Sequence, residues 1–172
     1  MKALLRLVMS LVLLLTFAVA LKAQQYETQD EAFLNDAAEN VMAEIELSGL
    51  AIKMASSEEV RKYAQGIIND NKNVKGDLDQ MAKDFGFILR EGLHKDSKQQ
   101  IERLAKYSGA EFDREYMNIM VRENRRGISD FWLEYNDGKH ASLVLWAGKK
   151  LPMMKQHLRL AQETAKKIMG SK

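Results

Sequence analysis

The sequence predicts an all-α fold, a four-helix bundle with one long crossover, and three observations carry that prediction. Apolar residues recur at steps of three and four through four long segments, and no stretch alternates apolar and polar residues long enough for a strand. The chain has a single proline, and Met, Leu, Ala, Glu and Lys, all good helix formers, dominate it. The links joining the first two and the last two segments are short, which makes antiparallel hairpins, whereas the middle link has about 23 residues.

The first residues read as a leader, not as part of the bundle. Met1 to Arg6 is basic, Leu7 to Ala20 is almost continuously apolar, and small residues follow at Ala18-Val19-Ala20 and Ala23. This is the pattern of a secretory signal peptide, and the run is shorter than the ~20 residues a membrane span needs. The expected organisation is a signal peptide over 1–23, with cleavage after Ala20 or Ala23, and one bundle domain over 24–172. The mature chain would then be periplasmic or secreted, with no transmembrane span. Lys2, Arg6 and Lys22 leave with the leader, so the remainder of 26 basic and 24 acidic residues is close to neutral. No basic face is concentrated enough to predict nucleic-acid binding. The chain has no cysteine, which excludes disulfides, thiolate metal sites, a cysteine nucleophile and a lipid anchor on cysteine.

The elements follow in order. A first helix is expected from about Gln29 to Ala55, with Leu34, Ala37, Val41, Ile45, Ser48 and Ile52 on its apolar face. Ser56 and Glu59 have the spacing of a capping box for a second helix, Ser57 to Phe85. The seam of that helix, from Val60 and Ile67 through Asn71 to Leu78 and Phe85, alternates steps of four and three, which favours shallow packing angles. The middle link should hold a short amphipathic helix, about Asp96 to Tyr107, with Ile101, Leu104 and Ala105 inward. A third helix is expected from Ala110 to Tyr135, with Met117, Met120, Asn124, Gly127 and Phe131 on one stripe and Ile128 and Trp132 widening it. Asn136-Asp137-Gly138 is a turn. The last helix, Lys139 to Ile168, buries Leu143, Ala147, Met154, His157 and Ala161, with a kink or break expected near Gly148 to Leu151, ahead of Pro152. The middle link, twelve residues in helix and the rest extended, reaches ~50 Å, against ~40 Å for a 27-residue helix. It can therefore return along the bundle and set the second and third helices parallel, the ferritin-like arrangement.

One polar residue interrupts each long apolar stripe near its middle: Glu44, Asn71, Asn124 and His157. Burying such groups is costly unless they find partners, so four at matching depth predict a shared polar layer. Asp113 is expected to cap the third helix, His94 and His140 to lie at the surface, and the methionines to fill the core.

Several segments carry a family resemblance: Ala43-Glu44-Ile45-Glu46-Leu47, Val60-Arg61-Lys62-Tyr63-Ala64-Gln65, Ser108-Gly109-Ala110 with Phe112-Asp113 and Tyr116, and Leu151-Pro152 with His157. In these the chain resembles the exported bacterial domain of unknown function 4142 family, of the ferritin-like superfamily. The resemblance implies a histidine where this chain has Asn71, after an acid matching Asp70, and another where it has Asn124; only His157 remains of the three. Asparagine is a poor ligand for transition metals. None of the four long helices carries the Glu-x-x-His of di-iron bundles.

Two function classes follow. One is an exported, non-enzymatic helical module, envelope or stress-related, acting on an unknown protein or envelope partner or as a homodimer, with no cofactor. The other is a divergent ferritin-like metal-binding or oxidoreductase-type protein with a single divalent metal ion held by Glu44, Asp70 and His157. Hydrolase chemistry is disfavoured, because no nucleophile elbow is present, and phosphate-binding glycine loops are absent as well.

Overall fold

The computed structural model describes residues 28–170; the expected signal peptide over 1–23 lies outside them. Five helices follow one another: α1 Gln29–Met54, α2 Glu58–Phe85, α3 Lys95–Leu104, α4 Gly109–Asp137 and α5 Ala141–Gly170. Among the described residues there is no strand, only an isolated bridge between Ala55 and Gly109. None of these helices is long and apolar enough to cross a membrane.

The two hairpins, α1–α2 and α4–α5, pack side by side. Phe33 near the start of α1 meets Phe131 near the end of α4 edge to face at 5.0 Å, while Ser48 and Tyr116 join hydroxyls at 2.9 Å. Helices α1 and α4 are therefore antiparallel. Helices α2 and α5 are antiparallel too, since Asp70 reaches His157 and Asp77 reaches Trp146. It follows that α2 and α4 run parallel, as the long link requires. That link leaves α2 at Gly86, whose φ of 73° is the left-handed turn a glycine adopts at no steric cost. The backbone N–H of Arg90 is then held by Asn35 at 2.8 Å, and that of His94 by Glu39 at 3.0 Å, two α1 side chains one turn apart. Leu104, fully buried, anchors the far end.

The core is in two parts. One holds Leu47, Ile67, Phe112, Tyr116, Met120 and Ala161; the other holds Leu34, Val74, Leu78, Phe131, Leu143 and Leu151. In every long helix the expected polar residue falls between its contributions to the two.

Several local expectations are corrected. The N-cap of α2 is Ser57, not Ser56, and its hydroxyl bonds Glu59 at 2.9 Å instead of a backbone N–H. Ala105 is the exposed C-cap of α3, which ends at Leu104, a turn earlier than expected. Trp132 is 58 % exposed; it follows Phe131 by one residue, 100° around the helix, and so faces outward. Helix α5 runs through Pro152 without a break. A proline inside a helix costs ~3 kcal/mol, but the buried face continues on both sides of it, with Leu143, Ala147 and Leu151 before and His157 and Ala161 after. Each such side chain contributes ~1–3 kcal/mol on burial, enough to hold the helix together.

Candidate functional site

A cavity of about 490 Å³ lies between α1 and α4, under α3, and Glu44, Asn71, Asn124 and His157 all line it. The four do share one depth, but they do not all bond one another. Asn71 donates from Nδ2 to Glu44 Oε2 at 2.7 Å. His157 Nε2 meets Asp70 Oδ2 at 2.8 Å. Asn124 donates to the Met120 carbonyl at 2.8 Å and to the Tyr63 hydroxyl at 3.3 Å. The layer is thus three local pairings around one cavity, because the helix spacing that leaves room for the cavity keeps the pairs apart.

Their electrostatics follow from burial. The Glu44 carboxyl is held above its ordinary value chiefly because it is desolvated; the Asn71 bond and the charge of His157 oppose the shift. Burial also raises the Tyr63 and Tyr116 phenols, so both stay neutral donors or acceptors. Asp70 is half exposed, its side chain 48 % accessible against 7 % for His157. Among the described residues, no three histidines, aspartates or glutamates cluster as a metal-ligand set: Asp70 and His157 are a pair, and Glu44 is taken up by Asn71.

Three buried acids complete the picture, and none had been expected as part of a site. Asp113 does not cap its own helix. It accepts from the backbone N–H groups of Ser56 and Ser57 at 3.0 and 2.8 Å and from the Ser56 hydroxyl, fastening the α1–α2 turn. Asp30 does the same for the α4–α5 turn, accepting from Lys139 N–H at 2.9 Å and His140 N–H at 2.7 Å. Glu134, 1 % exposed, has no hydrogen-bond partner on either carboxyl oxygen. Its pKa is pushed up to about 7, first by burial and then by the like charge of Asp30, while the neighbouring Gln29 side chain pulls the other way. A Cβ on Gly138 would collide with the Glu134 carboxyl, so the turn can wrap this acid only as glycine. The signal for all three was present: Asp30, Asp113 and Glu134 continue the apolar stripes of Leu34, Met117 and Phe131 by steps of four and three. They fall at helix ends, where an acid reads as solvated surface. His94 and His140 are exposed, as expected.

Comparison with known proteins bears on the fold and the family. A family model described as domain of unknown function (DUF4142) matches residues 16–164. Among curated proteins, none matches the chain. Two solved structures share the architecture. One is a DUF305 protein from Streptomyces coelicolor, described as a candidate secreted protein, with 15 % identity, TM-score 0.72, and coverage of 83 % of this chain and 93 % of that one. The other is a DUF305 fragment from Deinococcus radiodurans, with 11 % identity, TM-score 0.73, and coverage of 81 % and 97 %. At these identities the likeness concerns the fold alone.

Proposed function

The chain belongs to the DUF4142 family, and from that premise we propose that it is an exported, non-enzymatic helical module whose central polar layer serves the fold. The observation that carries this reading is that the layer is already satisfied. Glu44 is engaged by Asn71, His157 by Asp70, and Asn124 by Tyr63 and the Met120 carbonyl. A centre built for chemistry aims its donors and acceptors at a common point where a reacting atom sits. Here each side chain turns to its own neighbour. Buried polar pairs between helices fix which residues face each other, as a single buried asparagine does in a coiled coil. Export is supported by the leader pattern over residues 1–23 and by the description of the Streptomyces coelicolor neighbour. An envelope or stress-related role, with a protein partner or a second copy, fits such a module.

The test is metal content and stability measured together. The purified chain and His157→Ala are dialysed against Zn²⁺, Fe²⁺, Mn²⁺ and Cu²⁺ in turn, then assayed for bound metal and unfolded in urea. The expected result is no retained metal in either and a lower midpoint for the variant. One ion per chain, lost in His157→Ala, would replace this reading with a single metal site at Glu44, Asp70 and His157.

A further inference from the structure

The outer face of the α4–α5 hairpin carries exposed apolar side chains and bases together. On α4 a stripe at steps of three and four runs from Val121 through Arg125 and Ile128 to Trp132 and Tyr135. On α5 a stripe of the same spacing runs from Leu145 through Pro152, Lys155 and Lys166 to Met169. Neither stripe holds an acid. Two observations make them neighbours. At the turn end the Tyr135 ring lies over Gly148, a position on the α5 stripe, where a Cβ would come within 2.6 Å of it. At the far end Val121, Arg125, Ala165, Lys166 and Met169 line one groove, and no acid among the described residues lines it with them. Trp132, Leu145 and Met169 are each more than half exposed, and Tyr135 nearly so. Arg122, Arg126, Lys150 and Arg159 nearby have acid partners; among the described residues Arg125, Lys155 and Lys166 do not. None of the stripe residues lines the central cavity.

Single exposed apolar residues are ordinary on a protein surface, but a grouped Trp, Tyr and Leu mark a contact site. Charge is unevenly spread as well: α5 carries six bases and one acid in a chain that is close to neutral without its leader. Such a face draws an anionic partner. Its bases are spaced apart and interleaved with Leu145, Pro152 and Met169, which suits a phosphate backbone poorly, because that partner rewards dense positive charge and offers no apolar layer. A bilayer with anionic phospholipid meets both needs. Its phosphates take the bases, and the apolar layer beneath takes side chains that reach past the headgroups. Tryptophan and tyrosine, each an apolar ring with one polar atom, suit that boundary. From Leu145 to Met169 the α5 stripe spans ~36 Å at ~1.5 Å per residue, long enough for the hairpin to lie flat. We propose that the outer α4–α5 face binds an anionic phospholipid surface, with Trp132, Tyr135 and Leu145 entering the headgroup boundary and Arg125, Lys155 and Lys166 on the phosphates. The contact is peripheral, since none of the described helices is long and apolar enough to cross a membrane. It does not rest on the reading of the polar layer, and the metal content of the chain has no bearing on it.

Cosedimentation with vesicles tests it, using the chain from residue 24 so that the leader's own affinity for lipid does not enter. The vesicles are phosphatidylcholine alone or an equal mixture of phosphatidylcholine and phosphatidylglycerol. The expected result is binding to the mixed vesicles at least about tenfold tighter than to phosphatidylcholine, weakened by added salt. Arg125→Glu, Lys155→Glu and Lys166→Glu together should lower it at least about tenfold, and Trp132→Ser with Leu145→Ser should lower it too. Lys62→Glu, Lys72→Glu and Lys83→Glu on α2 make the same change in net charge and should cost clearly less. All eight side chains are exposed, so each variant is expected to keep its helical circular dichroism. No preference for the mixed vesicles, equal losses in the two charge-reversed variants, or an unaffected Trp132→Ser/Leu145→Ser variant overturns the proposal. Polyglutamate bound as tightly as the mixed vesicles also overturns it, in favour of an acidic protein partner. If a variant does not fold, quenching of the unaltered chain's tryptophan fluorescence by brominated phosphatidylglycerol decides: quenching supports the face, and none overturns it.

Discussion

The two hairpin turns of the bundle are fastened by one device and differ in what surrounds it. In each, a buried aspartate near the start of a helix in the opposite hairpin accepts the backbone N–H of the next helix's N-cap residue and of the residue before it. Asp113 does this for Ser56 and Ser57, Asp30 for Lys139 and His140. At the Asp113 end the account closes: a third donor, the Ser56 hydroxyl, joins in, and Arg61 reaches the Ala55 carbonyl. At the Asp30 end it does not: Glu134 is buried alongside with neither oxygen in a well-formed hydrogen bond, and the like charge of Asp30 outweighs the nearby Gln29 side chain. A satisfied turn reads as scaffold. A turn with a carboxyl left over carries a charge cost that the other does not, and Glu134 meets it by holding its proton to higher pH.

The largest expected effect breaks the comparison directly. Asp113→Ala strands two backbone donors and a hydroxyl around a buried carboxylate's place. With hydrogen bonds to charged groups worth ~1.5–3 kcal/mol each, a loss of ~3 kcal/mol or more in urea unfolding is expected. Asp30→Ala also strands two donors, but it removes the charge that opposes Glu134, so its loss should be smaller, ~1–2 kcal/mol. Equal losses would mean that Glu134 does not feel Asp30.

This end-to-end arrangement shows how far the residues could be read in advance. The bundle, the crossover and the parallel α2 and α4 followed from periodicity and link lengths. So did the common depth of Glu44, Asn71, Asn124 and His157, because a residue at a stripe position must face the core. What periodicity could not supply was pairing. Nothing in the spacing of Asn124 points to Tyr63, 61 residues away, and Asp70, half exposed beside the seam, was placed near His157 only as a fellow metal ligand and not as its direct hydrogen-bond partner. Asp30, Asp113 and Glu134 obeyed the stripe rule but lay in first or last turns, where acids near an N-terminus are ordinary. The break expected ahead of Pro152 and the inward face expected of Trp132 failed in opposite ways: a local penalty was outweighed by burial in one, and a large apolar side chain was given an inward face it does not have in the other.

A smaller effect sharpens the same contrast through pH. Glu134 titrates higher in the folded chain, about 7, than its ordinary value of 4.5. The folded state therefore holds an extra proton between those values, and raising the pH through that window strips it and lowers stability, by ~1–3 kcal/mol once complete. Below about 4.5 both states are protonated and the group contributes nothing. Glu44, also raised by burial, acts in the same direction, while Asp77, lowered from 3.8 by its bonds to Lys150 and Trp146, is ionised in both states across this window and loses its contribution only at more acid pH. The difference between the unaltered chain and Glu134→Gln isolates Glu134. Unfolding midpoints from pH 4.5 to 8 should fall less in the variant; parallel curves would remove the acid from the account of this turn.

The smallest effects separate side chain from backbone at the two turns. Ser56→Ala deletes one of the three bonds to Asp113 and leaves the two from N–H groups, so a loss of ~1 kcal/mol is expected. At the other turn His140 contributes its backbone to Asp30, while its exposed ring only stacks on Phe85 at 4.5 Å. Its Nε2 lies 3.9 Å from Asp30, too far for a hydrogen bond. His140→Ala keeps the N–H, so the loss should stay within ~0.5 kcal/mol, the range of ordinary surface substitutions. If His140→Ala instead costs as much as Ser56→Ala, the imidazole is supplying the positive charge that the Asp30–Glu134 pair lacks, and the two turns are equally closed. If it costs little, the excess of carboxylate at this end is relieved by the proton that Glu134 keeps, and the pH dependence of this turn is what sets it apart from the other.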